Sequence, residues 1–134
     1  MATYGGHMAP VKRLQPLRVL LAGRDRRYVR VTSFLLERKG YVVRKSTLEA
    51  AAEAARRHRS DVVLLEGDKL RSNAARNAAA IEALNPNTRV IVVVDKAPTE
   101  WAGLATLPKW VDLERIVDTL EADGLPEPDI DPAA

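Results

Sequence analysis

Glu66 is the residue best placed to do chemistry in this sequence. It closes the run Val62-Val63-Leu64-Leu65 within "SDVVLLEGDKL", so a carboxylate stands where a buried apolar segment runs out. A carboxylate in that place can react, bind or pair with a cation. Asp25, Asp95 and Lys109 stand just beyond other apolar runs, and Asp68 follows Glu66 by two residues. Asp25 reads more simply as a helix cap than as a lone metal ligand, Asp68 as a turn residue, and Asp95 with Lys96 as caps of the next segment. His58 lies in a basic helix end and needs no role. No nucleophile and base pair stands out for a hydrolase. Gly23 stands alone, without the glycine-rich pattern of a phosphate cradle, which argues against a dinucleotide-binding enzyme.

These residues need strands to position them. "LRVLLA" (17–22), "YVVRKS" (41–46), "DVVLLE" (61–66), "RVIVVVD" (89–95) and the weaker "LATLP" (104–108) have strand length, and three of them are continuously apolar. Helices are expected between them. Asp25 caps the first, Tyr28, Val31, Phe34 and Leu35 form its apolar stripe, and Gly40 ends it. Thr47 caps "TLEAAAEAARRHRS", whose cations Arg56, Arg57 and His58 sit at its C-terminal end. "SNAARNAAAIEALNP" stops at Asn85-Pro86. "VDLERIVDTLEA" is capped by Asp112 and turns Val111, Ile116, Val117 and Leu120 to one side. The alternation predicts a parallel sheet with helices on both faces, and functional groups at its carboxyl edge.

The 134 residues make one domain, 46% hydrophobic but only 4% aromatic, so the core must be aliphatic. There is no cysteine, which excludes a disulfide scaffold and a thiolate metal site and fits a cytoplasmic protein. No apolar run approaches the roughly 20 residues that span a bilayer, so no membrane role is expected. Residues 1–8 read as a cloning-derived leader with Met8 as native start, 9–16 as an extension, and 123–134 as an acidic, Pro-rich tail. The formal charge is +3, with Arg24, Arg26, Arg27 and Arg30 clustered early and Arg56, Arg57 and Arg59 later.

Four phrases carry a resemblance. "LLERKGYVV", "SDVVLLE", "NTRVIVVV" and "LPKWVDLERIVDTL", in that order, resemble the receiver domain of bacterial response regulators over roughly residues 17–122. The resemblance implies a doubly wound, flavodoxin-like α/β fold with strand order 2-1-3-4-5. It also implies a site, position by position. Glu66 stands where the family has its phosphoaccepting Asp. The acidic pair that holds Mg²⁺ is replaced by Gly23 and Arg24, with Asp25 just after. Val94 replaces the hydroxyl residue that senses phosphorylation, and Thr106 the aromatic switch residue. Lys109 matches the family's lysine, but Trp110 follows it in place of the family's Pro.

Most of the family's chemistry is therefore missing. Phosphoryl transfer to a carboxylate needs a divalent cation to neutralise the phosphoryl oxygens. Arg24 would put a permanent cation in the metal's place, and Glu66 would mimic the phosphorylated state or pair with Arg24 or Lys109. The short spacing from Val94 to Lys109 implies that the fourth helix is cut to a loop or a turn around "APTEWAGL". That puts the family's usual dimer in doubt, with a homodimer left open. Trp101 and Trp110 are then either contact anchors or cover for the gap.

The expected function is a non-enzymatic, phosphorylation-independent receiver-like domain, without cofactor or metal, that binds a protein partner in bacterial regulation. Its interaction surface would include Trp101, Trp110, Arg26, Arg27 and Arg30. A nucleic-acid-associated regulator using the Arg clusters is the rival, and a ligand sensor at the carboxyl edge of the sheet is the third reading.

Overall fold

The structure, a computed structural model, describes residues 15–67, 71–95 and 104–122. Along the chain these form β1 (Arg18–Ala22), α1 (Arg26–Arg38), β2 (Val42–Ser46), α2 (Ala51–His58), β3 (Val62–Glu66), α3 (Arg71–Leu84), β4 (Arg89–Val94), β5 (Ala105–Pro108) and α4 (Leu113–Glu121). The strands make one sheet in the order β2-β1-β3-β4-β5, with every pairing parallel. This is the expected doubly wound sheet. Residues 95–104 connect β4 to β5. Of these, 96–103 lie outside the described residues, as do Asp68, Lys96, Trp101 and both terminal segments.

Continuous apolar strands follow from burial on both faces. Alternation sends Val19, Leu21, Val62, Leu64, Ile91, Val93 and Leu107 to one side, where they pack with Tyr28, Leu36, Ile116 and Leu120 of α1 and α4. It sends Leu20, Ala22, Val63, Leu65 and Val90 to the other, against Ala51, Ala55, Ala78 and Ile81 of α2 and α3. The alanines on α2 and α3 leave room for the branched strand residues.

The apolar stripe expected on α1 needs correction. Tyr28 is buried, but the inward face continues through Val29, Thr32, Ser33 and Leu36, while Phe34 is 55% exposed. Two inward positions carry hydroxyls, so hydropathy pointed to the wrong face. Phe34 instead lies under the Arg38 guanidinium, 5.7 Å from the ring centre. The end of α1 is as expected. Gly40 has φ 102°, the Gly40 N–H donates to Glu37 O at 3.0 Å, and the Tyr41 N–H donates to Leu36 O at 3.2 Å. This double closure needs a residue at positive φ, which glycine takes without strain.

Two other caps differ from expectation. Thr47 does not open α2, which starts at Ala51; its Oγ1 accepts the Ala50 N–H at 3.1 Å and closes the turn before the helix. Asp112 occupies the N-cap position of α4 but its exposed carboxylate makes no cap bond; its backbone carbonyl accepts from Arg115 and Ile116. The far end of α4 is held by Arg89, whose guanidinium donates to the carbonyls of Thr119, Leu120 and Ala122 at 3.0–3.3 Å.

Candidate functional site

Three strand ends converge because the pleat sends them the same way. Leu21, Leu64 and Leu107 all face the α1–α4 layer. Gly23, Glu66 and Lys109 each follow two residues later, on the same side. The start of α1 then brings Asp25 over the sheet edge.

Glu66 is at the centre, with a side chain only 15% exposed. Its Oε1 accepts the backbone N–H of Arg24 at 2.5 Å and that of Asp25 at 3.0 Å. Its Oε2 accepts from Lys109 Nζ at 3.0 Å. Gly23 makes this approach feasible: a Cβ there would lie 2.5 Å from Glu66 Oε1 and 3.0 Å from Glu66 Cβ. The glycine supplies space here; its φ is not in the left-handed region.

Lys109 is the cation of the cluster. Its Nζ lies 2.8 Å from Asp25 Oδ2, 3.0 Å from Glu66 Oε2 and 3.8 Å from Asp95 Oδ1. It also sits 5.5 Å from the centre of the Tyr28 ring. Burial opposes its charge, but the hydrogen bonds and attraction of Asp25 and Glu66 outweigh that, and its pKa is pushed up to about 12. The Lys109 ammonium, helped by the Tyr28 N–H, holds the Asp25 carboxyl below the usual range. Asp25 therefore does two things: Oδ1 caps α1 by accepting the Tyr28 N–H at 3.1 Å, and Oδ2 pairs with Lys109. Tyr28 closes the site below, and burial pushes its phenol up to about 12 against a smaller opposing pull from Thr32. The hydroxyl is close to Thr32, yet it makes no hydrogen bond of normal geometry. Trp110, 58% exposed, meets Tyr28 edge to face with ring centres 5.2 Å apart.

Two further residues singled out in the sequence lie on the neighbouring strands β4 and β5. Val94 is buried at the end of β4, and Thr106 is half-buried on β5. The Arg24 guanidinium lies 3.6 Å from Glu49 and is 66% exposed. It is Lys109 that sits between the carboxylates; Arg24 meets Glu66 through its backbone N–H. Arg56 and Arg57 both pair with Glu53, so part of the basic cluster on α2 is neutralised locally. Reasoning from sequence missed two residues. Gly23 looked like a lost ligand, and Tyr28 like ordinary core. A glycine after β1 combined with a carboxylate one methylene too long after β3 was the available signal for the first; nothing marked the second.

The receiver resemblance implies Mg²⁺, which requires hard oxygen ligands in octahedral array. Gly23 offers no side chain and Arg24 offers a cation. Both oxygens of Asp25 and both of Glu66 are committed to N–H groups and to Lys109. This donor set does not fit Mg²⁺. Among the described residues no group of His, Cys, Asp and Glu is arranged to hold a metal ion.

No family model matches the sequence, and no curated protein matches it. Solved structures do match. A CheY-like response regulator receiver domain from Methanospirillum hungatei superposes with a TM-score of 0.70 at 19% identity, over 80% of this chain and 92% of that one. Chemotaxis protein CheY4 of Vibrio cholerae gives 0.69 at 17% identity, over 79% and 97%. CheY in the CheX–CheY–BeF₃–Mg²⁺ complex from Borrelia burgdorferi gives 0.68 at 16% identity, over 79% and 87%. The chain has the fold of a response regulator receiver domain. Among the described residues no helix is long and apolar enough to cross a membrane.

Proposed function

We propose that this chain is a receiver-like signalling domain whose output is set by protein contacts and not by an aspartyl phosphate. The observation that carries the reading is the occupancy of the Glu66 carboxylate. Three of its roughly four acceptor sites already meet Arg24 N–H, Asp25 N–H and Lys109 Nζ. The Glu66 carboxylate fills the space a side chain at position 23 would need. A nucleophile must present a lone pair to an incoming phosphorus in line with its leaving group. Glu66 is committed to internal partners, and Val94 lacks the hydroxyl that would sense a phosphoryl group. The pair Glu66–Lys109 thus acts as a fixed internal substitute for the switch.

The interaction surface in this reading centres on Trp110, with Trp101 as a further candidate from the sequence. Exposed tryptophan is a favoured contact anchor, and a structural neighbour is solved in complex with another protein, CheX. Arg26, Arg27 and Arg30, all exposed on α1, are further candidates for this surface. The domain would be cytoplasmic, without enzymatic activity of its own.

Amide NMR tests this directly. Spectra are recorded alone, with Mg²⁺, and with Mg²⁺ plus beryllofluoride, a mimic of the aspartyl phosphate. Peaks at Glu66, Val94 and Lys109 should stay in place. A concerted, saturable shift of these three would overturn the proposal, as would phosphate incorporated on Glu66.

A further inference from the structure

Beside the Glu66 cluster, at the carboxyl ends of β1 and β2, lies a cavity of about 380 Å³, two of whose lining residues, Arg26 and Arg30, belong to the contact surface of the reading above. It is lined by Gly23, Arg26, Val29, Arg30, Lys45, Ser46 and Thr47. Arg26 and Arg30 are one helical turn apart on α1, and Lys45 faces them from the edge strand β2. These three cations have no acidic partner among the described residues, while Arg24, Arg56, Arg57 and Lys109 nearby or elsewhere all pair with carboxylates. Like charges at i,i+4 on a helix repel. A third cation placed across the same hollow adds to that cost, so the unliganded arrangement is electrostatically unfavourable. An anion in the hollow reverses the sign.

We propose that this cavity binds a small molecule bearing a phosphate or pyrophosphate group. Its volume falls in the range of small-ligand sites, roughly 300–1,000 Å³. The carboxyl edge of an open parallel sheet is where such sites form. Two guanidinium forks and an ammonium match the two to three charges of a phosphate or pyrophosphate group. The Ser46 and Thr47 backbone and hydroxyls add polar groups at the rim, and Val29 supplies an apolar wall for the rest of the ligand. The concave shape favours a compact anion over an extended polymer, whose phosphates need a long basic stripe. The Gly23 N–H donates to Ser46 O at 3.2 Å, so an occupant would bear on the same β1 end whose next two amides hold Glu66.

Titration of the full chain with inorganic pyrophosphate, followed by amide NMR and calorimetry, tests the site. Binding should saturate, with shifts confined to Gly23, Arg26, Arg30, Ser46 and Thr47. Arg30→Gln and Lys45→Gln should each weaken it by about tenfold or more, the loss of one charge-assisted hydrogen bond. Arg38→Gln, a cation of α1 outside the cavity, should leave it unchanged. All these positions are exposed, so the variants should keep the wild-type melting temperature. Failure to saturate by about 10 mM pyrophosphate, weaker than any useful site, overturns the proposal. So does equal weakening by Arg38→Gln, which would mean diffuse charge attraction. A single-stranded oligonucleotide that binds more tightly than pyrophosphate and is lost equally in all three variants also overturns it, in favour of a nucleic-acid surface. None of these outcomes depends on whether Glu66 can be phosphorylated.

Discussion

Gly23 and Glu66 are complementary in size across β1 and β3. The Cβ that position 23 lacks would lie 2.5 Å from Glu66 Oε1, so this placement of the Glu66 carboxylate relies on glycine at position 23. The carboxylate is pinned by two backbone amides and Lys109, which prevents it from swinging aside.

Gly23→Ala should therefore destabilise the fold by about 1–3 kcal/mol, as overpacking in a tight site does. Adding Glu66→Asp should recover part of the loss, because the shorter side chain withdraws Oε1 from the new methyl group. Recovery will be partial, since Glu66 Cβ itself would stand 3.0 Å away. Urea unfolding of the single and double variants gives the coupling; strictly additive losses would show that the two residues do not share space.

Lys109→Met should cost about 2–4 kcal/mol, since it leaves two neighbouring carboxylates without their common cation. Lowering the pH should then restore stability to the variant, as protonation relieves the uncompensated negative charge. A variant as stable as wild type at neutral pH would mean that the cluster contributes nothing net.

Alkaline pH should unfold the wild type in a defined window. Lys109 rises to about 12 from 10.5 because its two carboxylate partners outweigh burial, and Tyr28 rises to about 12 from 10.0 because it is buried. In both, the folded state holds its proton more tightly than the unfolded state. Their contribution is complete below about pH 10 and is lost as pH climbs towards about 12. The urea midpoint should fall across that interval, and one of the three tyrosines should ionise last in an absorbance titration. On the acid side the signs reverse. His58, whose pKa is lowered by burial and then by Arg18 and Arg44, weakens the fold as pH drops below 6.5. Asp25 follows as the pH falls further.

Arg89→Met should remove the bonds that close the end of α4 and cost about 1–2 kcal/mol. Hydrogen exchange should quicken at Thr119, Leu120 and Glu121 before it does in β4. Uniform quickening throughout would argue that the contact supports the sheet and not the helix end.

The strands were readable in the sequence because burial on both faces leaves unbroken runs of Val, Leu and Ile. The importance of Glu66, Asp25 and Lys109 was readable because each is an ionisable residue just past such a run. What depends on packing between distant segments was not. The inward face of α1 was hidden by Thr32 and Ser33, which are polar by type but buried by place. The space at Gly23 exists only relative to a side chain 43 residues away. Of the two cations expected near Glu66, Lys109 supplies the ion pair, whereas Arg24, just before α1, turns its guanidinium towards Glu49.

The return of the chain into β5 is fastened twice at one residue. The Lys109 N–H donates to Val94 O at 2.7 Å, and its ammonium reaches Glu66 on the next strand over. Both ends of the β4–β5 connection are thus fastened to the sheet. Doubling the length of such a connection costs only about 0.6 kcal/mol in closure entropy. The architecture is therefore modular at this edge: one crossover segment could be exchanged for another, longer or shorter, while the floor of the site stays as it is. Diversification of this fold can proceed by swapping that single span, with Lys109 as the rivet that makes the exchange safe.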